Sequence, residues 1–105
     1  RQQDQVESAW RHLQIARELA PGLIQPHLNL GIIRLEQGEP RDATAYFHAA
    51  LRLKPDYPIA HNYMGVAYAR LGQKQQSISH LSLAAQYGSA EAEKNLQSVL
   101  DGKTP

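Results

Sequence analysis

"HLNLGIIRLEQG" (residues 27–38) and "HNYMGVAYARLG" (residues 61–72) stand 34 residues apart and share only their histidine and their two glycines. The same interval separates Leu13 from Phe47 and Phe47 from Leu81. A period of this length, with few positions kept constant, indicates repeated structural units. We interpret the constant residues as packing constraints and the variable ones as free to specialise.

The spacing of apolar residues predicts six helices, because they recur every three or four residues between Pro and Gly interruptions. The predicted helices cover residues 4–20, 24–37, 40–53, 58–71, 74–87 and 90–100. Pro26 and Pro40 fall in first turns, where a missing amide hydrogen costs little, and Ser89 is a candidate N-cap. No stretch alternates with period two, so the sequence predicts an all-α chain of antiparallel neighbouring helices.

The composition excludes several classes of protein. The 105 residues suffice for one domain with a modest core, and 42% hydrophobic residues favour a soluble globular chain. Eleven basic and ten acidic residues leave a formal charge of +1, so we expect no nucleic-acid partner. No apolar run approaches the ~18 residues of a membrane span, so we expect no membrane insertion. No signal peptide is visible, and a start at Arg1 suggests an excised or processed piece.

The absence of cysteine rules out disulfides, thiolate metal sites and cysteine nucleophiles. It leaves a cytoplasmic and a periplasmic location equally open. The five histidines include no pair four apart on one helix and no HExxH motif, so we expect no metal and no cofactor. Asp42 and Glu39 are explained by the dipole of a helix first turn, and no nucleophile elbow or glycine-rich phosphate loop occurs. We therefore expect no enzymatic activity.

A 34-residue period of helix–turn–helix units resembles the tetratricopeptide repeat (TPR) family. The resemblance implies an all-α, right-handed α-α superhelix over residues 1–105, which would be a single TPR domain and a fragment of a longer protein. Its parts would be a half repeat (4–20), two full repeats (24–57 and 58–88) and a C-terminal capping helix (89–101). In the family, small residues lie where paired helices approach closest, which implies that Gly31 lies against Ala43 and Gly65 against Ser77.

The sequence departs from the family pattern at three positions. His27 and His61 occupy a position where the family often carries Trp, and Arg34 replaces a usual aromatic residue.

Some chaperone-binding members clamp a C-terminal carboxylate with Lys, Asn and Arg. Because Leu28 and Tyr63 occupy two of those positions, we expect no such clamp.

The resemblance implies a concave groove that binds an extended or helical peptide of another protein. The matching positions are Gln25, Leu28, Asn29, Ile32, Glu36, Ile59, Asn62, Tyr63, Val66, Arg70, Lys94 and Asn95. Their apolar members form a strip with a polar rim, which suits the apolar face of an amphipathic helix. Tyr63 is the expected anchor, because tyrosine is enriched among residues that dominate binding energy.

Two alternatives stay open at this point. The first predicted helix lacks its own partner helix, so its apolar strip could pair two copies of the chain as a homo-oligomer. The candidate residues for that contact are Ala9, Trp10, Leu13 and Ala16. The other alternative is that the chain is a docking arm of a larger enzyme or secretion complex.

Overall fold

A computed structural model describes residues 2–105, which form six α-helices and no strand. The helices are α1 (Gln2–Leu19), α2 (Ile24–Glu36), α3 (Pro40–Leu53), α4 (Pro58–Arg70), α5 (Lys74–Gln86) and α6 (Ala90–Leu100). Every helix begins and ends within two residues of its predicted bounds. The predicted all-α architecture is confirmed.

The helices pack in chain order, each against the next, and α2 and α6 also contact α4. Short turns make successive helices antiparallel, so α2, α4 and α6 line one side of the stack and α1, α3 and α5 the other. This arrangement is a helical repeat solenoid, in which each unit contacts its neighbours. None of the helices within residues 2–105 is long and apolar enough to cross a membrane.

Glycines Gly38 and Gly72 close the turn inside each helix pair. Their φ angles are 78° and 76°, a left-handed conformation that glycine adopts without a side-chain clash. The amide of Gly38 donates to Leu35 at 3.1 Å, and that of Gly72 donates to Ala69 at 3.0 Å. These bonds satisfy carbonyls that a helix end would otherwise leave unpaired.

The other glycines of the repeat, Gly31 and Gly65, allow close helix packing. A Cβ atom at Gly31 would lie 2.5 Å from the ring of Phe47, and one at Gly65 would lie 2.6 Å from Cδ2 of Leu81. The expected pairing of Gly65 with Ser77 is present, because the Ser77 hydroxyl donates to the Gly65 carbonyl at 2.7 Å. At Gly31 the three atoms nearest to the Cβ position all belong to Phe47, one turn after Ala43 on α3.

The core is concentrated in the middle of the stack. One buried cluster joins α2, α3 and α4 around Phe47 and Met64, both fully buried. A smaller cluster joins α5 and α6 around Leu81 and Val99. Helix α1 contributes no buried residue. Because burial of apolar area supplies most of the stabilisation, α2 to α4 are expected to form the most stable part of the chain.

Candidate functional site

A cleft of about 360 Å³ opens on the side formed by α2, α4 and α6, and we call it the concave cleft. Its lining residues are Ile32, Leu35, Glu36, Asn62, Tyr63, Val66, Arg70, Glu91, Asn95 and Pro105. Seven of these were predicted groove residues, namely Ile32, Glu36, Asn62, Tyr63, Val66, Arg70 and Asn95. The structure thus brings together groove positions from three helices.

The remaining predicted groove residues lie outside this cleft. Leu28 is only 2% exposed and belongs to the core cluster, so it supports the groove from behind. Ile59 is 46% exposed at the start of α4. Gln25 donates its side-chain amide to Asn29 at 3.2 Å along the outer face of α2. Lys94 is exposed on α6.

The floor of the concave cleft is apolar and is held by the core. The ring of Tyr63 stacks on that of Phe47, with centroids 5.7 Å apart and planes inclined by 17°. Val66 beside it is 7% exposed. Because Phe47 is fully buried, the orientation of Tyr63 is set before any ligand arrives, which lowers the entropic cost of binding.

The polar rim of the concave cleft consists of groups that reach across helices. The Asn95 amide donates to the Asn62 oxygen at 2.9 Å and joins α6 to α4. The guanidinium of Arg70 donates to the main-chain oxygen of Leu35 at 3.3 Å through Nη1. It also donates through Nε to the main-chain oxygen of Pro105 at 3.3 Å. Arg70 therefore joins the end of α2 and Pro105 to α4.

A second and larger cleft, of about 760 Å³, lies between α1, α2 and α3, and we call it the basic cleft. It is lined by Arg17, Glu18, Pro21, His27, Arg34, Asp42, Ala45, Tyr46, Ala49 and Arg52. The sequence analysis did not predict it. A signal was present, because α1, α2 and α3 each carry an arginine in the last turn.

Comparison with known protein families identifies the family to which this chain is similar. Residues 28–92 match the family model described as "Tetratricopeptide repeat". The chain belongs to the tetratricopeptide repeat family. Such repeats generally mediate protein–protein interaction and are generally non-catalytic scaffolds.

Individual TPR relatives are similar over most of the chain. The "Tetratricopeptide repeat-containing protein trd-1" of Caenorhabditis elegans is 31% identical over 81 residues, which cover 77% of this chain and 10% of that protein. The crystal structure of MamA protein superimposes with a TM-score of 0.84 at 24% identity, covering 97% of this chain and 57% of that one. The chain therefore spans about a tenth of the curated relative and somewhat more than half of MamA, and the MamA likeness supports the fold alone.

The histidines at the unusual TPR position tie each first helix to the preceding turn. His61 Nε2 lies 2.7 Å from the carbonyl oxygen of Pro55, and His27 Nε2 lies 3.2 Å from that of Pro21. Since a carbonyl only accepts, both histidines carry a proton on Nε2 and donate it. This bond accounts for the histidine shared by the two repeats.

His61 also belongs to a cluster of stacked rings. Nδ1 of His61 lies 3.0 Å from Nδ1 of His80, whose ring stacks on Tyr68 with centroids 5.6 Å apart. Burial, together with the charges of His61 and His48, lowers the pKa of His80 to about 4. No group of three or more potential ligands within residues 2–105 is arranged to hold a metal ion.

The predicted self-association strip on α1 is partly covered. The Trp10 ring lies under the guanidinium of Arg34 at 3.9 Å and meets Tyr46 edge-on at 5.5 Å. Ala9 is exposed, whereas Leu13 and Ala16 are half-buried. The most exposed large apolar side chains near this helix were not predicted as an association site, and they are Ile15 (55%), Leu19 (81%) and Leu23 (56%).

Proposed function

We propose that this TPR chain is a non-catalytic scaffold whose concave cleft binds an amphipathic helix or short peptide of a partner protein. The observation that carries the proposal is the apolar floor around Tyr63, held in place by Phe47 and surrounded by polar side chains. An apolar centre with a polar rim is the usual anatomy of a protein–protein interface.

The charged groups of the rim bear on the mode of binding. The guanidinium of Arg70 lines the concave cleft and donates to the main-chain carbonyl of Leu35. A guanidinium has five N–H donors, so Arg70 can also donate to a carbonyl oxygen of a bound peptide. Glu36 and Glu91 on the rim add acidic groups, so the partner is expected to carry a basic residue beside its apolar face.

A peptide library displayed on phage and selected against the chain would test this proposal. For a selected peptide, Tyr63→Ala should weaken binding by roughly 1–3 kcal/mol in titration calorimetry, because an anchoring ring is removed from the floor. Leu53→Ala is the matched control, since Leu53 is 43% exposed on α3 and lies outside the concave cleft.

Circular dichroism should show unchanged helical content for both variants. Equal affinities of the parent chain and Tyr63→Ala would refute the assignment of the groove. Equal loss of affinity in Leu53→Ala would also refute it, because the effect would not belong to the cleft.

Self-assembly through α1 is a second candidate, and the exposed Leu19 and Ile15 favour it. A mass that doubles with concentration in light scattering would support this candidate. Leu19→Lys should then restore the monomer, whereas Leu53→Lys should not, because a charge on α1 would be buried in the dimer. A constant monomer mass over a wide concentration range would exclude it.

A further inference from the structure

The basic cleft is separate from the concave cleft, with which it shares no lining residue. It is also the larger of the two, at about 760 Å³ against 360 Å³. Both clefts involve α2, but through different faces. Helix α2 contributes His27 and Arg34, seven residues apart on one face, to the basic cleft, and Ile32, Leu35 and Glu36 to the concave cleft.

The charges of the basic cleft are distributed unevenly along its length. Helices α1 and α3 run parallel, because each is antiparallel to α2, so their last turns lie at one end. Arg17 and Arg52 occupy these last turns, and His27 lies at the adjoining start of α2. Arg34 and Asp42 lie toward the opposite end, in the last turn of α2 and the first turn of α3.

His27 carries a polar atom without a partner in this region. Its Nδ1 is buried and has no hydrogen-bond partner within residues 2–105, whereas its Nε2 lies beside the Pro21 carbonyl. The equivalent Nδ1 of His61 is paired with His80. A buried nitrogen without a partner carries an energetic cost that a suitable ligand removes. With the proton on Nε2, this Nδ1 carries a lone pair, so it accepts a hydrogen bond and suits an N–H group of a bound peptide.

The surface between the charges is apolar and aromatic. Ala45, Ala49 and Tyr46 present one face of α3 to the cleft, and the Arg17 guanidinium lies 5.5 Å from the centre of the Tyr46 ring. Three arginines line the cleft against two carboxylates, those of Glu18 and Asp42. Glu18 adjoins Arg17, so the end marked by Arg17 and Arg52 has two arginines against one carboxylate and keeps a positive charge. The alanines leave room there for methylene groups of a ligand.

We infer that the basic cleft binds a glutamate- or aspartate-rich segment of a protein, with a carboxylate held between Arg17 and Arg52. Guanidinium groups match a carboxylate in geometry and form two parallel hydrogen bonds with it. This surface adds a second recognition site on the face opposite the concave cleft, so one chain would hold two different segments at once. The inference does not depend on the proposed concave site, because different residues form the two clefts.

A labelled hexaglutamate peptide is the probe, and fluorescence anisotropy with the 105-residue chain measures its binding. Hexaglutamine serves as the uncharged control. Arg17→Gln and Arg52→Gln should each raise the Kd for hexaglutamate about tenfold, because each removes a charged hydrogen-bond donor. Arg11→Gln is the charge-matched control, because Arg11 is exposed on α1 and lines neither cleft, and it should leave the Kd within about twofold. Binding should weaken as salt is raised, because the site is open to solvent.

The outcomes separate a built site from general charge attraction. Loss of binding in Arg17→Gln and Arg52→Gln, with Arg11→Gln unchanged, supports the basic cleft. Equal losses in all three variants, or equal binding of hexaglutamine, overturn the inference. Absence of hexaglutamate binding at low salt overturns it as well. Failure of the Tyr63→Ala test would leave this result untouched, so the two proposals fail separately.

Discussion

The two full repeats place a histidine at the same position and surround it differently. His61 is 6% exposed, donates to Pro55 and meets His80 through Nδ1 at 3.0 Å. His27 donates to Pro21 in the same way, but its Nδ1 is buried and finds no hydrogen-bond partner among residues 2–105. The hydrogen bond from Nε2 to the preceding turn is therefore common to both repeats, whereas the hydrogen-bond partner of Nδ1 is present only in the second.

The residues 34 positions apart explain this difference. Arg34 and Tyr68 are equivalent, as are Tyr46 and His80. In the second repeat, Tyr68 and His80 stack on each other and fill the space beside the histidine. In the first, Arg34 turns toward Trp10 on α1, and an open cleft of about 760 Å³ remains. Two exchanges, Tyr68 for Arg34 and His80 for Tyr46, thus distinguish the packed contact within the second repeat from the open cleft of the first.

The largest expected effect concerns the glycine that lets the two helices of each repeat pack closely. Gly65→Leu should lower the free energy of unfolding by about 3 kcal/mol, because its side chain would occupy the space of Leu81. Gly22→Ala is the control, since no atom lies within 4 Å of its Cβ position, and it should change stability by less than about 0.5 kcal/mol. Urea denaturation measures both. A native stability of Gly65→Leu would contradict the close approach of α4 and α5.

An intermediate effect should appear in acid, and it belongs to the second repeat. The unfolded chain binds a proton at His80 near pH 6.5, but the folded chain does so only near its pKa of about 4. Stability is therefore complete above pH 6.5 and falls as the pH drops toward 4. The full difference corresponds to about 3 kcal/mol, and we expect roughly 1–2 kcal/mol because part of the ring contacts solvent.

His80→Gln tests this pH dependence, because an amide can still donate to His61 but does not titrate. The variant should be less stable at pH 7 through lost stacking, yet it should lose less stability than the parent chain between pH 7 and pH 4. His12→Gln, on the exposed face of α1, is the control variant and should keep the parental slope. An unchanged slope in His80→Gln would show that another group controls the acid response.

The smallest effect should come from making the second helix pair resemble the first. Ser77 is fully buried and donates to the Gly65 carbonyl, whereas its equivalent, Ala43, has no hydroxyl. Ser77→Ala should therefore lower stability by only about 0.5–1 kcal/mol, the net contribution of one hydrogen bond. Ser79→Ala, at an exposed position on α5, controls for the change in helix propensity. A loss larger than about 2 kcal/mol would mean that the hydroxyl does more than this bond.

Part of the candidate site could be predicted from the sequence, because the repeat places equivalent residues on equivalent faces. Ile32, Tyr63, Val66 and Arg70 were predicted from the family resemblance and line the concave cleft. Leu28 was assigned to the same groove, but it is only 2% exposed. Helical spacing gives the direction of a side chain, whereas its exposure depends on how closely the neighbouring helix approaches.

The basic cleft could not be predicted from the sequence, because its residues come from helices that are distant along the chain. Arg17 and Arg52 are 35 residues apart, and their proximity follows from α1 and α3 packing on the same side of α2. The contact of Pro105 with Arg70 also spans 35 residues, and it falls in a segment without periodicity. Neither contact leaves a pattern in the local sequence.

By itself, the sequence determined the six helices, their turns and the repeat they form. These features depend on interactions over a few residues, such as the apolar spacing, the prolines of first turns and the glycines with positive φ at Gly38 and Gly72. Only the tertiary structure decided which space between helices is filled and which is open. That outcome depends on side chains that are distant in sequence, because they compete for the same volume. His61 meets His80 in this way, whereas His27 Nδ1 has no hydrogen-bond partner within residues 2–105.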